Sequence, residues 1–443
     1  MSELFTPVAK KSREVRTANH ERYMLLTVRL YAKGLVRRTE GQGSSSKAPK
    51  LYRVEPGDFV VSKIDARNGA WGFVPEELGG GLVSGDFPIL ALNRCVADEH
   101  FVELALGQRS TWEPLRDIAF GTTNRRRLQV LELLETTIAL PPIAEQQAIA
   151  RVLRVVRQAK EATEAVIAAT RELKKSLMRH LFTYGPVPVQ EAARVPLKET
   201  EFGSVPEHWV IVSLEQLALV QTGVAKGRRL DASSTITLPY LRVANVQDGY
   251  LDLGEMKTIA IEAHELSRYR LQPDDVVLTE GGDFDKLGRG FVWRGQIETC
   301  VHQNHVFAVR LNRQRLLPAY VAYLAQSAYG KNYFLTVAHR TTHLACINSA
   351  KLKAFPVPVP PLEDQESIVE ILQATDRKLS VEENRKQALE ALFNSLLHNL
   401  MTGKVRVGDM EHEGPLDHEN TKWRERRESG DFGDPGLTEQ TSV

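Results

Sequence analysis

The chain has 443 residues, enough for two to four domains with sizeable cores. Its 57 Lys and Arg nearly cancel its 56 Asp and Glu, and 42% of residues are hydrophobic. This balance is globular and excludes both a disordered polymer and a histone-like polybasic binder. No apolar run approaches the ~20 residues of a membrane helix, and Ala165–Ala169 is typical of those present. MSELFTPVAKKSREVR has no apolar signal core, and the three dispersed cysteines (Cys95, Cys300, Cys346) exclude a disulfide framework or a thiolate zinc site. A cytoplasmic, multidomain protein is expected.

In chain order, Gly41–Ser46 reads as a flexible loop, and Phe59–Ile64 and Phe87–Leu92 as strands. After Pro141-Pro142 the residues Ile149, Val152, Val156, Ala159, Val166, Leu173 and Leu177 follow alternating steps of three and four. Thr163 and Thr170 complete the register of a coiled-coil seam. Proline suits a first helical turn, and about forty residues of helix would span roughly 60 Å. Glu199–Val210 has no periodicity and reads as a linker. Val276–Thr279, Gly290–Trp293 and Val306–Leu311 read as strands, with Glu280–Arg289 a long polar loop. A second long helix follows Pro360-Pro361, apolar at both ends but polar in its middle.

The last forty residues hold 6 basic and 10 acidic side chains and little apolar content, the composition of a disordered acidic tail. Residues 1–403 then carry 51 basic and 46 acidic side chains, an excess of +5 with the sign a polyanion favours.

The chain repeats itself. PPIAEQQAIARVL from Pro141 returns as PPLEDQESIVEIL from Pro360, an offset of 219 that also carries Leu173, Ser176, Leu177, Leu181 and Thr183 onto Leu392, Ser395, Leu396, Leu400 and Thr402. Over these 43 positions 12 are identical. Thr122-Thr123 falls on Thr341-Thr342, and the segment from Tyr52 meets that from Tyr269 at 217. Two copies at so long a period mean a duplicated domain plan. The expected fold is α+β: two β-rich domains separated by two long helices that pair as an antiparallel coiled coil, with pseudo-twofold duplication. The expected boundaries are 1–140, 141–184, 185–359, 360–403 and the tail 404–443.

Catalytic signatures are missing. Gly223-Val-Ala-Lys-Gly-Arg-Arg229 is not a phosphate loop, and no GxGxxG, HExxH or GxSxG is present. The spacing of His302, His305, His339 and His343 is compatible with a metal site. The side chains among them (Gln303, Asn304, Arg340, Thr341, Thr342) are of the kind that read bases and phosphates. Three alternatives stay open here: a DNA-recognition protein, a metal-dependent nuclease built on those histidines, and a coiled-coil adaptor that binds protein.

The order of parts resembles the specificity subunit of type I restriction–modification systems. The resemblance is carried by Pro206-Glu-His-Trp209 with Leu214 and Gln221-Thr-Gly-Val-Ala-Lys226. Glu280-Gly-Gly-Asp283, Lys286-Leu-Gly-Arg289, Gln303-Asn-His305-Val-Phe and the two PPxxxxQ helix starts extend it. The first copy departs from the pattern in having no PxxW opening, so its recognition domain reads as divergent or shortened.

The resemblance implies a non-catalytic subunit that reads a bipartite DNA site. Its partners would be double-stranded DNA, two methyltransferase (modification) subunits and restriction/translocase subunits. S-adenosylmethionine, ATP and Mg would sit on those partners, with no cofactor or metal in this chain. A 60 Å helix pair spans half-sites one turn (~34 Å) apart. The DNA-contact candidates in the second copy are Lys226, Arg228, Arg229, Lys286, Arg289, Gln303, Asn304, His305, Arg340, Thr341 and Thr342. In the first copy they are Lys63, Arg67, Asn68, Thr122, Thr123, Asn124 and Arg125.

Overall fold

The computed structural model describes residues 1–16, 22–42, 50–118, 129–230, 234–282, 284, 287–340 and 345–408. The fold is α+β. Two helices dominate, Ile143–Tyr184 and Leu362–Met401, each starting directly after its proline pair. The chain divides into two compact units, Met1–Ala162 with Lys386–Val443, and Thr163–Arg385. Each unit therefore combines one β-rich segment, the start of the helix that follows it, and the end of the other long helix.

The first unit holds a four-stranded antiparallel sheet in the order Phe5–Pro7, Ile89–Leu92, Phe59–Val61, Trp71–Phe73. A five-stranded sheet runs Glu14–Val15, Leu51–Arg53, Leu82–Ser84, Arg22–Val28, Leu35–Gln42. Phe5, Phe59, Trp71 and Leu90 on the first sheet pack with Phe101 and Leu106 of helix Glu99–Gly107. Ile149, Ala150 and Leu153 from the first long helix and Leu400 from the second close this core.

The second unit repeats the plan. Its four-stranded sheet runs Ala218–Thr222, Val306–Leu311, Val276–Thr279, Gly290–Val292, so by chain position both sheets have the order first, fourth, second, third. Helix Pro318–Gln326 stands 219 residues after Glu99–Gly107, residue for residue. Its Tyr320, Val321 and Leu324 are buried with Ile368 and Leu372 of the second long helix and Met178, Leu181 and Phe182 of the first. The central sheet of the first copy is thus present without the PxxW opening, since strand Phe5–Pro7 occupies the edge that Ala218–Thr222 occupies in the second.

Within each unit the long helices lie side by side. Lys160 meets Glu390 at 3.2 Å in the first unit. In the second, Arg171 meets Glu383 at 2.8 Å and Lys174 meets Asp376 at 2.5 Å, so the segments run antiparallel. The seam departs from the sequence register. Leu153 and Ile167 are buried instead of Val152 and Val166, and Leu173 is 53% exposed. Adjacent apolar pairs (Val152-Leu153, Val166-Ile167) fit either register, and Lys174, held by Asp376, lays its stem along the seam where Leu173 was expected.

Two further expectations change. Glu199–Val210 is structured, with strands Leu197–Thr200 and Gly203–Pro206 forming a hairpin and Val210–Ser213 pairing with Pro356–Val359. Short strands closed by backbone bonds leave no periodic trace. Glu280–Arg289 opens with strand Gly281–Gly282, which pairs with Ala345–Cys346. Of the tail, only residues 404–408 lie within the described residues. Among the described residues no helix is long and apolar enough to cross a membrane.

Candidate nucleic-acid interface

In the second unit the site is built on a close backbone crossing. Val224 N donates to the His302 carbonyl at 2.7 Å, and Asn304 N donates to the Val224 carbonyl at 2.9 Å. A Cβ at Gly223 would lie 2.0 Å from the His302 oxygen, so only glycine permits the crossing. The crossing sets the Gly223–Arg229 segment beside Gln303, Asn304 and His305. Gln303 N donates to Leu241 O at 2.9 Å, which fixes the next strand to the same edge.

From this base Lys226 is exposed, its ammonium 5.4 Å from the Tyr240 ring centroid. Lys226 and Arg228 line a cleft of about 340 Å³ with Tyr240 and Ile259. Arg228 is already engaged: its two terminal nitrogens donate to the Glu265 carboxylate at 2.6 and 2.7 Å. The guanidinium draws the Glu265 carboxyl down to about 2, and the carboxylate raises the Arg228 pKa in return. Arg229, next in sequence, is exposed.

A second group gathers on the neighbouring strands. His305 Nδ1 bonds the Glu280 carboxylate, and Glu280 N donates to the His305 carbonyl at 2.9 Å. His305 Nε2 lies 3.5 Å from Asn304 Nδ2, the limit of a hydrogen bond. Ile347 N donates to Glu280 O at 2.8 Å, and strand Ala345–Cys346 pairs with both Gly281–Gly282 and His339–Arg340. Residues distant in sequence (280–282, 304–305, 339–340) therefore share one edge. Arg289 donates through Nη1 to Gln247 Oε1 at 3.0 Å. The backbone of Arg340 pairs with Ala345, whereas Lys286, Thr341 and Thr342 lie outside the described residues.

His302 has a different role from His305. It is 1% exposed, its Nδ1 lies 2.6 Å from the Val306 carbonyl, and burial lowers its pKa. It is a neutral core residue, which separates it from the metal-ligand grouping its spacing suggested; His343 lies outside the described residues. Among the described residues no three His, Cys, Asp or Glu side chains come together as a metal site.

In the first unit, Arg67 and Asn68 share the single-turn helix Ala66–Asn68. Asn68 Oδ1 accepts from Arg116 Nη2 at 3.4 Å. Lys63 is partly buried, its backbone N bonded to Asp86 O at 2.9 Å, and it lines a small cleft with Lys10, Arg13 and Tyr52. Thr122, Thr123, Asn124 and Arg125 lie outside the described residues.

Sequence reasoning missed Glu265, Gln247 and Tyr240, the residues that hold or face the candidate cations. Nothing in their spacing links them to Arg228, Arg289 or Lys226. Trp209, prominent in the opening motif, is completely buried and acts by packing.

Residues 206–391 match the family model of the type I restriction modification DNA specificity domain. A provisionally named type I restriction enzyme MjaX specificity subunit of Methanocaldococcus jannaschii is 26% identical over 210 residues, 47% of this chain and 49% of that protein. The type I restriction enzyme MjaVIII specificity subunit of the same organism is 25% identical over 280 residues, 62% of this chain and 63% of the relative. The chain spans about half the length of the first relative (49%) and under two thirds of the second (63%). A chain solved in work on complex assembly and conformational transition of the type I R-M system has the same fold. Its TM-score is 0.50 at 17% identity, over 90% of this chain and 97% of that one. The chain is thus similar to the specificity subunits of type I restriction enzymes, and residues 206–391 are the part that matches the specificity-domain model.

Proposed function

We propose that this chain is the non-catalytic, sequence-reading subunit of a type I restriction–modification complex and recognises a bipartite double-stranded DNA site in the cytoplasm. Residues 1–140 and 185–359 are its two recognition domains, 141–184 and 360–403 its paired helices, and 404–443 a separate acidic tail. The observation that carries the reading is the duplication at the level of strands. Two sheets of identical order, each followed by a short helix and a PPxxxxQ helix, give two equivalent readers, as a split site requires.

The chemistry of the second edge supports base reading. Asn304 offers an amide, Gln303 another, and Lys226 and Arg229 offer exposed cations for phosphates or guanine. A body excess of +5 is small for a DNA binder acting alone. It suits a subunit that shares phosphate binding with two modification subunits and with restriction subunits. Those partners would carry S-adenosylmethionine, ATP and Mg. The complex with its modification subunits should enrich one split motif from a random-sequence duplex pool. Retention of DNA without any enriched motif would overturn the reading.

A further inference from the structure

The hairpin between strands Arg22–Val28 and Leu35–Gln42 turns through an unusual residue pair. Tyr31 and Ala32 have φ of +62° and +51°, left-handed backbone at two consecutive side-chain-bearing residues. Hairpin turns with positive φ at both central positions ordinarily take Asn or Gly, because a Cβ is disfavoured there. The turn is nonetheless fixed from several sides. Tyr31 N donates to Asn68 O at 2.8 Å and Ala32 N to Gly69 O at 2.7 Å. Arg29 donates from N to Gly34 O at 2.9 Å and from Nη2 to Lys33 O at 2.7 Å. Strain held this firmly, where a cheaper residue would serve the turn, marks a position kept for its side chain.

The side chain is suited to contact. Tyr31 is 54% exposed, and its ring rests tilted against Trp112 with centroids 5.8 Å apart. Arg116 caps the other aromatic at 5.5 Å and donates to Asn68. The Trp112 ring is buried, and its Nε1 has no hydrogen-bond partner among the described residues. Tyr31 is thus a propped, outward aromatic, bonded through its backbone to the turn that carries Arg67 and Asn68.

We infer that Tyr31 is a base-contacting, specificity-determining residue of the first recognition domain, its ring packing on a base of the first half-site. This rests on the proposed DNA-reading function and extends it to a residue of the first copy. An uncharged ring on a base releases no counterions, whereas Arg67 on a phosphate would.

The test uses the full chain with its modification subunits, and as probes the duplex enriched from the random pool and an unselected duplex. Tyr31→Gly, which suits the turn, should fold with undiminished thermal midpoint. It should still lose about 5- to 150-fold in preference for the enriched duplex, the range of one base–aromatic contact, with an unchanged salt slope. Tyr31→Phe should keep the preference. Undiminished preference in Tyr31→Gly, or a slope reduced as for a lost cation, would overturn the inference alone. Absence of any preference in the parent complex would overturn it together with the proposed function.

Discussion

Gln146 and Gln365, 219 residues apart, are both fully buried and make the same three backbone hydrogen bonds, each within its own copy. Gln146 accepts from Asp98 N at 2.8 Å and donates to Val96 O at 2.9 Å and Pro141 O at 2.8 Å. Gln365 accepts from Leu317 N at 2.8 Å and donates to Arg315 O at 3.0 Å and Pro360 O at 2.9 Å. Each glutamine fastens the start of a long helix to the loop that opens the short helix packed on the sheet. This gives the PPxxxxQ motif a structural cause: the amide satisfies groups that neither the helix nor the loop can satisfy alone.

Replacing Gln365 with Leu keeps bulk but orphans a buried N–H and two carbonyls. We expect a loss of about 2–4 kcal/mol, read as a lower denaturant midpoint for the transition of the second unit. An unchanged midpoint would mean that water satisfies these groups.

Asn304→Ala should weaken binding to the enriched duplex by about 1–3 kcal/mol while leaving binding to unselected duplex nearly unchanged. Competition binding at fixed salt measures both. Equal losses on the two duplexes would reduce Asn304 to a backbone contact.

Arg228, held by Glu265, contributes little net charge at pH 7. Glu265→Gln should release it, strengthen binding to unselected duplex, and steepen the dependence of log affinity on log salt by up to about 0.9. Titrations at several salt concentrations decide the matter, and a slope equal to the parent's would show that the cation remains engaged.

His302 gives a pH signature. Burial places its folded pKa below the unfolded value of 6.5. Its neutral form is therefore compatible with full stability above pH 6.5, and stability is lost as pH falls from there toward the lower folded value. Thermal midpoints between pH 7.5 and 5 should drop more steeply for the parent than for His302→Gln. Parallel curves would place the acid sensitivity elsewhere.

The long helices and the repeat were legible in the sequence because both are local: proline pairs start helices, and a 219-residue offset needs no geometry to detect. Strands Val276–Thr279 and Val306–Leu311 were equally plain, being short buried apolar runs. The hairpin at Leu197–Pro206 was not, because its residues alternate weakly and its partners are supplied by backbone bonds.

For the site, sequence named residue types and tertiary structure assigned their duties. His302 ends strand Val301–His302 and His305 lies three residues on, in the turn that follows, yet one is sealed in the core and the other faces solvent beside Glu280. Arg228 and Arg229 are neighbours, and among the described residues the first is bonded to a carboxylate while the second is exposed. Tyr31 carried no signal at all, since a left-handed backbone is invisible in a residue type that normally avoids it. Composition, periodicity and repetition determined what is duplicated and where the helices run. Which of the second unit's candidate polar side chains are bonded internally and which stay exposed was decided by the strand crossing at Gly223 and the edge it builds, because that depends on contacts between residues far apart in the chain.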